Sequence, residues 1–284
     1  MKSTIKHYFI SLRPRHWLKN LFLFAAPFFG GTLFSEETLL IAFPAFISFS
    51  LSASAAYIFN DIKDIENDRL HPGKKKRPVA SGGISRKNAL IFSVCVGMLS
   101  LFLSYRIAPA FFYYVLAYLF IQASYSMYLK NMPLVDIFCI ASGFIIRVLA
   151  GGAAFNVEVS QWLLLTMFMI SLVLASGKRL GEINNLNEKA GEHRRSLSYY
   201  SSATLNEILL ISSSASLIAY ALYTIEQFQR LVYTIPIVTF GLFRYIMLAK
   251  QGMGDPTDAM TKDRWLALTV ALWLLLVGVI RYNY

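Results

Sequence analysis

Ala56-Tyr57-Ile58-Phe59-Asn60-Asp61-Ile62-Lys63-Asp64-Ile65-Glu66-Asn67-Asp68 closes an apolar run, begun near residue 38, that is long enough to cross a bilayer. If the helix of that run continues past Phe59, Asp61, Asp64 and Asp68 follow i, i+3, i+7 and share one face. Asn60 then stacks one turn before Asp64. Hard oxygen ligands grouped at a membrane surface suit Mg2+, which keeps several waters and binds phosphate groups of a substrate. A merely solvated acidic face is the alternative, but carboxylates at a membrane helix end call for a counterion.

Working outward, the 284 residues are 56% hydrophobic and 15% charged, too apolar for an ordinary soluble domain. Windows of about 20 apolar residues predict nine spans, near 18–34, 38–59, 88–105, 108–128, 134–154, 160–177, 203–223, 229–249 and 265–281. The expected fold is an all-α integral membrane protein, a single polytopic domain over residues 1–284. The basic N-terminus lacks the compact core and small-residue cleavage site of a signal peptide.

With the N-terminus inside, 22 of the 27 Lys and Arg residues fall on that side. The positive-inside rule then predicts a cytoplasmic N-terminus, a cytoplasmic site and, for a plasma or inner membrane protein, an external C-terminus. The net charge of +11 follows from that bias and needs no nucleic acid. Cys95 and Cys139 lie inside predicted spans and suggest neither a disulfide nor a metal site, and the four scattered histidines give no zinc or haem pattern.

Three inside loops, near 60–87, 178–202 and 250–264, mix acids and bases. The first two follow spans two and six, so the spans divide into two equivalent four-helix units with the ninth appended. Sites in such proteins often lie between the repeats. Before the first span, Trp17 is expected to be an interfacial anchor. Arg13, Arg15 and Lys19 are either snorkelling anchors or contacts to a lipid phosphate.

The Asn-Asp-x-x-Asp-x-x-x-Asp loop resembles the first aspartate motif of the UbiA-type intramembrane prenyltransferase superfamily. Arg13-Pro14, Trp17 and Lys19-Asn20, then Asp68-Arg69, His71-Pro72, Lys74, Arg77-Pro78 and Ser81-Gly82 extend the resemblance. Gly177-Lys178-Arg179 with Glu182, and Gly254-Asp255-Pro256-Thr257-Asp258 with Asp263-Arg264, carry it along nearly the whole chain. Together they resemble the polyprenyl-phosphate phosphoribosyltransferase branch. Where prenyltransferases carry a second aspartate-rich motif, this chain has Lys178-Arg179-Leu180-Gly181-Glu182 with Arg194 and Arg195, a loop better suited to gripping phosphate than to a second metal.

The resemblance implies Mg2+-dependent transfer of 5-phosphoribose from phosphoribosyl diphosphate to a polyprenyl phosphate, with membrane lipids as surroundings and a homo-oligomer left open. Asp61, Asp64 and Asp68 would form the catalytic metal set, with Asn60 beside them. Lys74, Arg77, Lys178 and Arg179 would grip phosphate. Glu182 would meet a ribose hydroxyl or make an outer metal contact, or simply pair with its basic neighbours. Lys130 lies near Asp136, where a structural pair is as good a reading as a catalytic one. Arg147, mid-span, is expected to line the cavity or contact phosphate. Asp255 and Asp258 are expected at the donor, although Asp255 or Thr257 would also serve as a helix cap. The rivals are a prenyltransferase that uses a prenyl diphosphate and a small acceptor, and a transporter of anionic lipid.

Overall fold

The computed structural model describes residues 2–70, 73–186 and 195–282, and every regular element among them is helical. His71, Pro72 and Arg194, singled out from the sequence, lie outside the described residues. Helices α1 (Lys2–Leu12), α2 (Ala25–Gly30), α3 (Glu36–Lys63), α4 (Ile65–Leu70), α5 (Arg86–Ile107) and α6 (Pro109–Met127) form the first half. There follow α7 (Val135–Phe155), α8 (Gln161–Leu186), α9 (Ser202–Gln227), α10 (Ile235–Lys250), α11 (Pro256–Lys262) and α12 (Arg264–Tyr282). Among the described residues eight helical stretches are long and apolar enough to cross a membrane, one of them Gln229–Lys250, in which a 3-10 segment runs into α10.

The predicted first span is not a long α-helix. Residues Pro14–Phe24 form a 3-10 helix, and α2 follows it directly. Arg13 enters in the left-handed region at φ 54°, and Gly31 ends α2 at φ 78°. Hydropathy registers composition, whereas the tighter winding depends on hydrogen bonding to neighbours. Here the neighbour is α3, whose Ser50, Ser54 and Asp61 share a face at i, i+4 and i+11. Asn20 donates to Ser50 (3.0 Å), Trp17 donates to Ser54 (3.0 Å), and Arg13 reaches Asp61. Trp17, half-buried, is therefore tied to α3 by its indole N–H.

Small residues let the helices close up without a water-driven hydrophobic force between them. Ser48 and Ser100 exchange hydroxyl-to-carbonyl hydrogen bonds between α3 and α5, and Ser93 donates to the Ala55 carbonyl. The two most extensive pairings, α3 with α5 and α8 with α9, occupy equivalent places in the two halves. Ser35, Ser85 and Ser201 cap α3, α5 and α9 by accepting from the N–H three residues on.

Gly151 lets the 3-10 segment lie on α7. A Cβ there would sit 1.8 Å from the Leu23 carbonyl oxygen. Gly151→Ala is expected to destabilise the fold by about 1–3 kcal/mol or more through overpacking. The check is the melting temperature in detergent, and an unchanged melt would show that the contact can relax.

Candidate active site

The break in α3 shapes the carboxylate cluster. Asp64 leaves helical geometry (φ −101°, ψ 12°), and α4 begins one residue later. Asp64 N–H still donates to Asn60 O and Asp68 N–H to Asp64 O, so the chain bends without losing its hydrogen-bond rhythm. The Asn60 amide also donates to the Asp64 carboxylate at 3.0 Å, as the spacing predicted.

The bend divides the expected set into two and one. Asp61 and Asp68, both buried, share Arg77, whose Nη1 lies 3.0 Å from Asp61 and 2.6 Å from Asp68. Asp64 instead pairs with Lys130, from the turn between α6 and α7. Among the described residues no three His, Cys, Asp or Glu side chains are gathered as a metal set. The single shared face predicted from i, i+3, i+7 is thus corrected by the bend at Asp64.

Asp61 and Asp68 nevertheless fit a divalent ion. One positively charged nitrogen touches both carboxylates, so the pair is already arranged around a single cationic centre. Burial raises the Asp68 carboxyl above its ordinary value, and the Arg77 charge and hydrogen bond oppose the shift. Such a pair attracts a small hard cation more strongly than a proton at neutral pH.

A second cluster joins the N-terminal segment to the other two loops. Lys19 and Lys178 converge on the same Asp255 oxygen, at 3.6 and 3.5 Å. Asp255 also accepts from the Thr257 backbone N–H at 2.9 Å. Burial would raise this carboxyl, but the Lys178 and Lys19 charges and that N–H outweigh it and hold the group well below the usual carboxylate range. Asp255 therefore serves both as the expected cap and as part of the polar site. The stretch Arg13–Lys19 links the clusters, since Arg13 stacks over Tyr57 at 5.3 Å and His16 packs on the same ring.

Beneath Lys19 opens an apolar cavity of about 910 Å3 between the 3-10 segment, α2, α8, α10 and α12. Phe22, Phe28, Met167, Tyr220 and Trp273 line it, and Pro256 and Thr257 close it beside Lys19.

Several expected site residues lie elsewhere. Arg179 is fully buried, and its three nitrogens donate to Asp136 (2.7 Å), Tyr125 (2.9 Å) and Glu182. It anchors α8 to α7 and orients Glu182; it is not the phosphate grip expected. Asp136 resolves as the structural alternative, accepting also from Tyr200 (2.7 Å) and Ser196 (3.2 Å). Arg147 is buried against neutral groups, donating to Asn20, Tyr118 and the Gly143 carbonyl with Phe49 and Phe144 at its faces. It does not line the cavity. Lys74 is half-buried near Asp68.

Asp258 points outward into an exposed pair with Lys262 at 2.8 Å. Asp258→Ala is accordingly expected to leave turnover within about twofold and stability within about 0.5 kcal/mol. A large loss of donor affinity in a steady-state assay would restore it to the site.

Sequence reading missed the inward roles of Asn20 and Tyr57 and left Arg13 and Lys19 undecided. Their signal was the polar spacing Arg13, Trp17, Lys19, Asn20 at the head of an apolar run, which marks one side of the segment as buried polar.

Comparison with known proteins agrees with this geometry. Residues 21–268 match the model of the UbiA prenyltransferase family. The chain is 33% identical, over 94% of its length and 92% of the relative's, to decaprenyl-phosphate phosphoribosyltransferase of Mycobacterium tuberculosis. It is 34% identical to the protein of that name from Corynebacterium glutamicum, covering 96% of this chain and 86% of that one. The fold matches a UbiA homologue from Archaeoglobus fulgidus bound to DMAPP and Mg2+, with a TM-score of 0.78, 21% identity and coverage of 97% and 99% of the two chains. With the family model spanning most of the sequence and full-length relatives above 30% identity, this chain is a multi-pass membrane transferase belonging to the UbiA prenyltransferase family.

Proposed function

We propose that the protein transfers 5-phosphoribose from phosphoribosyl diphosphate to a polyprenyl phosphate, releasing diphosphate, with Mg2+ as the metal. The observation that carries this is the meeting of two differently equipped regions. A carboxylate cluster ringed by Arg13, Arg77 and Lys130 adjoins a lysine pair at the mouth of a long apolar cavity. The names of the relatives and the Mg2+ in the Archaeoglobus fulgidus homologue support it.

Asp61 and Asp68, with Asp64 alongside, are the residues that would hold Mg2+. The ion would supply positive charge to the departing diphosphate. Arg77, Lys74 and Lys130 add fixed positive charge at the same end of the bundle. In the reaction a phosphate oxygen of the acceptor forms a bond to the anomeric carbon as the bond from that carbon to diphosphate breaks. The acceptor is already an anion, so the protein needs no strong base; its task is alignment. The cavity would take the isoprenoid chain, each buried CH2 contributing about 0.8 kcal/mol. By the distribution of basic residues the site would face the cytoplasm, in a plasma or inner membrane.

The deciding experiment offers purified protein either labelled phosphoribosyl diphosphate with polyprenyl phosphate, or prenyl diphosphate with aromatic acceptors, in each case with Mg2+. Label entering lipid from the first mixture, and abolished by EDTA, is expected. Product from the second mixture alone would replace this reading with a prenyltransferase, and neither product would favour a transporter.

A further inference from the structure

A residue of the cavity lining carries a buried hydroxyl that the described fold leaves without a partner. Thr257 is 7% exposed, and its Oγ1 has no hydrogen-bond partner among the described residues. It lines the cavity together with Lys19. Buried polar atoms without partners are uncommon, and this one belongs to a lining residue two positions after Asp255, the carboxylate that Lys19 and Lys178 share.

The lysines have spare capacity as well. At 3.6 and 3.5 Å their ammonium nitrogens stand farther from the Asp255 oxygen than the ~2.7–2.9 Å of a charge-assisted hydrogen bond. Each ammonium carries three N–H donors. Asp255 therefore spaces the two cations without saturating them, and the trio keeps a net positive charge. With side-chain exposures of 16% for Lys19 and 32% for Lys178 both ammonium groups remain reachable, and Lys19 also lines the apolar cavity.

We infer that Lys19, Lys178 and the Thr257 hydroxyl form the seat of a phosphate monoester carried on an apolar chain, with Asp255 fixing the spacing of the two ammonium groups. This rests on the proposed reaction and deepens it: the acceptor's phosphate goes to this seat, while the donor's diphosphate goes to the Asp61–Asp68 cluster. Lys178 thereby moves from the donor to the acceptor. A ribose phosphate presents the same phosphomonoester but has no apolar chain to fill the cavity. The seat thus matches the lipid and not the sugar.

The test measures binding of farnesyl phosphate, and separately of ribose 5-phosphate, to the detergent-solubilised protein without Mg2+ or donor. The wild type is expected to bind farnesyl phosphate far better than farnesol. Lys19→Gln should weaken farnesyl phosphate binding about tenfold and Thr257→Val about threefold, with Thr257→Ser restoring it. A wild type indifferent to the phosphate, or variants that bind farnesyl phosphate as the wild type does, would overturn the seat. So would variants that lose ribose 5-phosphate and keep the lipid. Because no donor is present, a protein that seats farnesyl phosphate here yet transfers no phosphoribose would keep this assignment and lose the reaction.

Discussion

Asp61→Asn and Asp68→Asn are each expected to lower turnover by about a hundred- to a thousandfold while the protein stays folded, because each removes charge from the pair that would hold the metal. The two should be alike, since a single Arg77 nitrogen spans both carboxylates. Asp64→Asn should be milder, because the bend in α3 turns Asp64 toward Lys130 and away from the pair. The pH dependence gives a second check on Asp68. Its pKa is raised from 3.8 by burial, against the opposing pull of Arg77. A raised carboxyl pKa means that the charged form is lost as pH falls through a value above the ordinary one, so the metal-free wild-type protein is expected to lose Mg2+ affinity on acidification sooner than an ordinary carboxylate would. A thousandfold loss in Asp64→Asn with near-normal Asp68→Asn would show that the metal sits on the other branch of the bend.

The motif was legible in sequence because its information is local. Three aspartates within eight residues, following an apolar run, specify a surface and a ligand chemistry without reference to the rest of the chain. The helix break at Asp64 was not legible, since Ile65-Glu66-Asn67 contains neither Pro nor Gly to announce it. The same limit applies to the first predicted span. Its apolar composition is real, but its 3-10 winding depends on Ser50 and Ser54, thirty or more residues away on α3. Arg13 and Lys19 read equally well as snorkelling anchors, because the partners that turn them inward, Asp61 and Asp255, are remote in sequence. Lys178 and Arg179 are adjacent in sequence and point to different places, one to Asp255 and one into the core. Charge counting treats them alike; only the 3.6-residue turn and the position of Asp136 separate them.

That separation gives the second large effect. Arg179→Ala is expected to destabilise the fold by about 3–5 kcal/mol, the cost of leaving one member of a buried ion pair uncompensated. Arg179 and Asp136 are both inaccessible, and among the described residues Asp136 would keep the Tyr200 and Ser196 hydroxyls. Replacing both charges together, as Arg179→Met with Asp136→Leu, should recover much of the loss, because the desolvation cost disappears with the pair. A phosphate-gripping Arg179 would behave otherwise: Arg179→Lys would raise the donor KM with the melting temperature unchanged. For the buried knot, Arg179→Lys should lower the melting temperature, since an ammonium cannot serve Asp136, Tyr125 and Glu182 with the guanidinium's planar fork. Donor affinity would then change only as far as Glu182 loses its orientation. Measuring the melting temperature and donor KM on the same three variants separates an arginine that holds the second loop in place from one that holds the substrate.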